Sequence, residues 1–193
     1  MNRTTFLIVS DHGFRNVQHT IHPNVLLSQQ GLVKRENNVV HCQAWVVPEG
    51  GTAMVYINDP NRRRELVSQL HGLFEKVEGV AHVYGQNEYQ AIGLPVTAAS
   101  DQSPDLLLAA KPGYAFGGGD SGELVTPLAE GGSHGYMNTD PNMQAIFIAW
   151  GAGIRGGVHL PPIQNRDVAS TIAQLLGLQW TGDEGHVLRS ILK

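Results

Sequence analysis

The chain has 193 residues, 41% of them hydrophobic and 16% charged, with 23 glycines, which fits a globular protein rich in turns and long enough to bury a core. Its net charge of −4 is too mild to point to a nucleic-acid or membrane-surface partner. No apolar run approaches the roughly 20 residues that a helical membrane span needs.

Met1-Asn2-Arg3 leads straight into Thr4 to Ser10 (TTFLIVS), without the cationic start and small-residue cleavage site of a signal peptide. The run predicts a strand over 6–10, buried on both faces as in the middle of a parallel sheet. The chain is thus expected to open inside a sheet. Asp11-His12-Gly13-Phe14 follows as a loop, and residues 24–30 predict a short helix stopped by Gly31. Two strands are expected over 39–47 and 52–57, joined by Pro48-Glu49-Gly50-Gly51. Cys42 rules out a disulfide framework by being the sole cysteine, and reads as a small buried hydrophobe.

Asp59-Pro60 reads as a helix start, and Leu66, Leu70, Phe74 and Val77 give residues 60–77 one apolar stripe. Residues 105–110 predict another buried strand. Residues 111–143 read as a long glycine-rich excursion, of a length that usually carries function. Residues 144–150 predict a third buried strand. Val168, Ile172, Leu175 and Leu176 predict a helix with an apolar face, ended by Gly177. Buried strands alternating with helices indicate a single α/β domain over 1–193 with a mainly parallel sheet, whose ligands gather at the carboxyl ends of strands.

Chemistry-bearing residues fall at such places. Asp11 and His12 sit directly after the first strand, a carboxylate and an imidazole side by side with a glycine that permits a tight turn. Such a pair can grip a zinc-type cation from one rigid platform. His134 lies between small residues in the glycine-rich loop before the strand 144–150, and can reach towards the same face. Asp11, His12 and His134 are therefore the candidate metal ligands. His19 and His22 read as turn or surface residues, His41, His71, His82, His159 and His186 as structural, and Asn24 as a turn residue. Gly119-Asp120-Ser121-Gly122 spells a serine-protease fragment without the strand-rich context or upstream partners it needs. Gly117-x-Gly119-x-x-Gly122 lacks a preceding strand, and Gly151-x-Gly153-x-x-Gly156 lacks a following helix, so neither reads as a dinucleotide fingerprint.

The segments LIVSDHGF (7–14), GSHGYMNTDPNMQAIFIAWGAGIRGG (132–157) and RDVASTIAQLLGL (166–178) resemble three successive motifs of the alkaline phosphatase superfamily, in its type I phosphodiesterase and nucleotide pyrophosphatase branch. The resemblance spans nearly the whole chain and implies an alkaline phosphatase-like α/β fold, a mainly parallel sheet flanked by helices. It implies that Asp11 and His12 hold one of two divalent ions, zinc in kind, and His134 the other, in a hydrolase acting on phosphoesters or nucleotides. The family takes its Thr or Ser nucleophile, an early Asp and an Asp-x-x-x-His pair from segments before Asp-His-Gly. Only ten residues precede Asp11, with no histidine and no aspartate among them. The expectation is thus an incomplete fragment lacking the amino-terminal portion and the nucleophile, with that portion as a partner. Ser170 replaces a family proline. Sulfatases, cofactor-independent phosphoglycerate mutases and a non-catalytic binding protein that kept the fold are the alternatives. The resemblance suggests an extracytoplasmic parent, while nothing in this chain shows export.

Overall fold

The computed structural model describes residues 3–37, 39–181 and 185–193. In chain order the elements are β1 (Thr5–Val9), β2 (Arg15–Ile21), α1 (Pro23–Gln29), β3 (Val33–Glu36), β4 (Val39–Cys42), β5 (Ala44–Pro48), β6 (Thr52–Ile57), α2 (Arg63–Phe74), β7 (Val80–Gly85), α3 (Tyr89–Ile92), β8 (Leu106–Ala110), β9 (Gly113–Phe116), β10 (Val125–Pro127), β11 (Gly132–Ser133), β12 (Phe147–Gly151) and α4 (Arg166–Leu176). They fall into two compact units, Met1–Gly13 with Gln144–Lys193, and Phe14–Met143.

The larger unit is built on the sheet β5-β6-β8-β7. Glu49 to Gly51 turn the chain between β5 and β6, which pair antiparallel with Val46 opposite Val55. All five residues of β8 are buried. Helix α2 packs Leu66, Leu70 and Phe74 onto this sheet, and Val46, Val55, Val83, Leu106 and Leu108 are fully enclosed. Burying an aliphatic side chain stabilises a fold by about 1.5–3 kcal/mol, so this layer is the main source of cohesion.

A second sheet is centred on β2. Strand β9 pairs parallel with Val17–Ile21, β10 antiparallel with His19–Ile21, and β11 antiparallel with Arg15–Asn16. The excursion 111–143 thus returns to β2 three times, which its glycines and short apolar runs conceal in the sequence. Helix α2 also starts later than Asp59-Pro60 suggests. Asp59 Oδ1 accepts the Asn61 N–H at 3.0 Å, which ends in a turn, and the helix begins at Arg63. Gln43 divides the expected strand 39–47 into β4, paired with β3, and β5.

In the smaller unit β1 pairs with β12, Phe6 opposite Trp150 and Ile8 opposite Ile148. The Phe6 and Trp150 rings stack at 4.9 Å. Both expectations for β1 need correcting. Its ladder is antiparallel, and Phe6, Ile8 and Val9 are exposed. More widely, every ladder among the described residues is antiparallel except β2–β9. The α/β class is as expected, but a continuous apolar run is silent on partner direction, and in β1 and β12, where Ile148 and Trp150 are also exposed, it does not report burial either.

Helix α4 ends at Gly177, φ 67°, as read from the sequence. Its buried residues are Asp167, Ser170, Thr171 and Ala173, whereas Ile172 and Leu176 are exposed. The reason is the carboxy-terminal segment, which bonds to the polar side. Asp167 accepts the N–H groups of His186 (2.9 Å) and Gln164 (3.0 Å), and Thr171 Oγ1 accepts that of Leu188 (3.0 Å).

The His186 N–H first, and then that of Gln164, hold the Asp167 carboxyl below the usual carboxylate range. A carboxylate whose pKa is lower folded than unfolded adds stability above its unfolded value, near 3.9, and that stability is lost as pH falls through the folded value. Asp167→Asn should therefore lower the urea midpoint at pH 7, with a gap to the parent chain that shrinks below about pH 4. A gap constant from pH 7 to 3 would show that the carboxylate charge contributes nothing.

Candidate functional site

Strand β1 ends where Ser10 donates its N–H to Ile146 O (3.3 Å), and Ser10 Oγ accepts the Ile146 N–H (3.1 Å). Asp11 is the first residue past this clamp. Its carbonyl accepts the Asn165 side-chain amide at 2.7 Å, and its Oδ1 accepts the His12 N–H at 3.0 Å. His12 Nδ1 lies 2.9 Å from Gly13 O. A carbonyl only accepts, so Nδ1 carries a proton, and Nε2 is the ring nitrogen turned towards the carboxylate. That Nε2 lies 3.4 Å from Asp11 Oδ2, whose side chain is 86% exposed. The donor set, one carboxylate and one imidazole with its other nitrogen fixed by a carbonyl, fits a zinc-type ion in type and in outer support. Two donors are fewer than the three or four protein ligands of a finished zinc site. Among the described residues, no group of three or more His, Cys, Asp or Glu side chains is gathered to hold a metal.

His134 belongs to the larger unit. Strand β11 delivers it by pairing Gly132 with Asn16 and Ser133 with Arg15. The Phe14 ring lies 5.9 Å from its imidazole. Its carbonyl accepts the Gly51 N–H at 2.7 Å. Beyond it, Tyr136 donates its hydroxyl to Tyr114 O at 2.6 Å, and the Arg15 guanidinium lies 5.7 Å from the Tyr136 ring centre. Arg15 pairs with Asp140. The Asn142 side-chain amide, then its backbone N–H and Arg15, hold the Asp140 carboxyl below the usual range.

Three further histidines have local roles. His19 stacks on Tyr114 at 4.8 Å, and His22 bonds Gly118 O (2.5 Å) and Thr126 Oγ1 (3.1 Å), tying the glycine-rich loop to β10. His82 bonds Glu88 at 2.8 Å, and the Gly85 N–H, then His82, lowers the Glu88 pKa. Asp120 of the protease-like tetrad accepts Arg35 at 2.8 Å. Asn24 is no turn residue. It lies in α1, 1% exposed, and bonds both backbone groups of Val46. The sequence signal for it was weak, since an asparagine after proline suits a turn equally well.

A family model described as type I phosphodiesterase / nucleotide pyrophosphatase matches residues 1–137, a stretch that includes Asp11, His12 and His134. The chain belongs to this family. Its phosphodiesterase relatives include an ectonucleotide pyrophosphatase/phosphodiesterase of Caenorhabditis elegans, 25% identical over 97% of this chain and 22% of the relative. Another is ectonucleotide pyrophosphatase/phosphodiesterase family member 7 of Rattus norvegicus, 29% identical over 63% of this chain and 28% of the relative. Among solved structures, murine ectonucleotide pyrophosphatase/phosphodiesterase 5 superposes with a TM-score of 0.73 at 17% identity, over 100% of this chain and 46% of that one. An inactive form of the murine protein in complex with AMP gives the same TM-score at 18% identity. At that identity the likeness shows the fold alone, that of ectonucleotide pyrophosphatase/phosphodiesterase 5. The chain spans under a third of these curated relatives and under half of the solved chains.

Proposed function

We propose that the chain is the carboxy-terminal part of one α/β catalytic domain of a metal-dependent phosphoester hydrolase, of the nucleotide pyrophosphatase and phosphodiesterase kind. Asp11 and His12 hold one divalent cation, zinc in kind, and His134 contributes to holding a second. The observation that carries this reading is the Asp11–His12 pair at the carboxyl end of β1, with His12 Nδ1 bound to Gly13 O and Nε2 turned to the carboxylate at 3.4 Å. When bound, such ions supply Lewis-acid chemistry, neutralising charge on phosphoryl oxygens and lowering the pKa of a hydroxyl. The protein's own part is preorganisation. Asn165 and the His12 N–H fix the Asp11 backbone and carboxylate, and Gly13 fixes the imidazole tautomer.

Nucleotides are the substrate class best supported, because the superposing murine protein was solved with AMP. The Thr or Ser nucleophile and the remaining ligands belong, on this reading, to a segment outside these 193 residues. Calorimetric titration of the purified full chain with zinc sulfate tests the proposal. Asp11→Ala, His12→Ala and His134→Ala should each weaken zinc binding by about 10-fold or more. Binding by all three variants equal to that of the parent chain would refute the metal site and leave a binding protein that kept the fold.

A further inference from the structure

His134 stands in a loop that has little regular structure of its own, yet its backbone is gripped from a distant part of the chain. The turn Glu49–Gly51 between β5 and β6 supplies the grip. The Gly51 N–H donates to His134 O at 2.7 Å. Gly50, φ 81°, lies so close that a side-chain carbon there would collide with both His134 O and Ser133 Oγ. Gly135, φ 73°, approaches the turn from the other side, where a side-chain carbon would overlap Glu49 O. Two backbones meet at a distance that only glycine allows on either side.

The turn is itself rigid. Glu49 donates its N–H to Thr52 O at 2.8 Å, Phe116 donates to Gly50 O at 2.7 Å, and Ala110 donates to Gly51 O at 2.9 Å. These bonds root it in the β5–β6 hairpin, the buried strand β8 and strand β9. A second strut, from the Tyr136 hydroxyl to Tyr114 O at 2.6 Å, holds the loop just beyond His134. A loop anchored at both flanks of one residue fixes the direction in which that residue's imidazole leaves the backbone. Ligand geometry within about half an ångström is what separates a strong metal site from a weak one.

We infer that the Gly50–Gly51 turn is a positioning device for His134, a backbone cradle that aims the imidazole, with Gly50 and Gly51 as positioning residues for metal binding. The inference rests on reading His134 as a metal ligand, and the experiment separates the two. Zinc affinity of the full chain is measured by competition with a chromophoric chelator, together with the Tm of the zinc-free protein. Gly50→Ala is compared with Gly93→Ala. Gly93 has nearly the same backbone conformation (φ 77°) but nothing within 4 Å of an added side-chain carbon, so it reports backbone strain alone.

The expected result is that Gly50→Ala weakens zinc binding at least 10-fold while Gly93→Ala leaves it within about 2-fold of the parent. Equal affinities in the two variants, with His134→Ala still lowering affinity, would overturn the cradle and leave the metal reading standing. Unchanged affinity in His134→Ala would overturn both. If Gly50→Ala yields no soluble chain, Tyr136→Phe and Tyr89→Phe decide. Each removes one hydroxyl bond to a backbone carbonyl, from Tyr136 to Tyr114 O and from Tyr89 to Pro104 O at 3.1 Å. Only Tyr136→Phe should weaken zinc binding, by a few-fold. Parent-like affinity in both would overturn the inference.

Discussion

Asn24→Ala is expected to destabilise the chain by about 2–5 kcal/mol, measured as a fall in the urea midpoint at unchanged m-value. Strand β5 is at the edge of its sheet, so the groups of Val46 that face away from β6 have no strand partner. Asn24 supplies one. Its Oδ1 accepts the Val46 N–H and its Nδ2 donates to Val46 O, each at 2.8 Å, and both residues are sealed from water. The side chain acts as one residue of a further strand. Alanine leaves a buried donor and a buried acceptor unsatisfied, each costing about 1–3 kcal/mol. Asn24→Asp should be nearly as harmful, since a carboxylate offers no donor to Val46 O. A loss below about 1 kcal/mol for Asn24→Ala would mean that water reaches Val46 in the variant.

Gly135→Ala is expected to be at least as damaging, by about 3 kcal/mol or more, because two penalties coincide. The left-handed conformation at φ 73° costs a residue with a side chain about 1–2 kcal/mol. The added carbon would also overlap Glu49 O, a backbone atom held by the turn and unable to rotate away. Gly177→Ala is the comparison, with φ 67° and nothing within 4 Å of an added carbon. Thermal unfolding should place Gly135→Ala several degrees below Gly177→Ala. Equal Tm values would show that the Glu49 contact relaxes freely.

The sequence announced the parts of the fold that depend on periodicity. The apolar stripe Leu66, Leu70, Phe74 is the buried face of α2, and the turn Pro48 to Gly51 joins two strands as read. The helix stops at Gly31 and Gly177 follow from a conformation that glycine adopts without strain. The strands within 111–143 were invisible because they are short, carry few apolar residues and pair with a strand a hundred positions earlier. Strand direction was invisible too, and the apolar runs of β1 and β12 did not even record burial, since Phe6, Ile8, Val9, Ile148 and Trp150 are exposed. For α4, periodicity picked Ile172 and Leu176 as the inner face, whereas specific bonds from Gln164, His186 and Leu188 bury the polar side.

Among the candidate ligands, Asp11, His12 and His134 stood out by residue type and by position after a strand or within a glycine-rich loop. The features that give them geometry did not. The bond from His12 Nδ1 to Gly13 O, the Asn165 amide on Asp11 O and the Gly51 N–H on His134 O depend on backbone atoms or on residues 83 to 154 positions away, which no local pattern records.

Diffraction at the zinc absorption edge, from crystals of the full chain soaked in zinc, tests the metal-binding claim most directly. If the proposed ligands hold zinc, one anomalous peak lies within bonding distance of Asp11 Oδ2 and His12 Nε2, and another at the His134 imidazole. Zinc bound elsewhere, with neither of these positions occupied at saturating zinc, would contradict it.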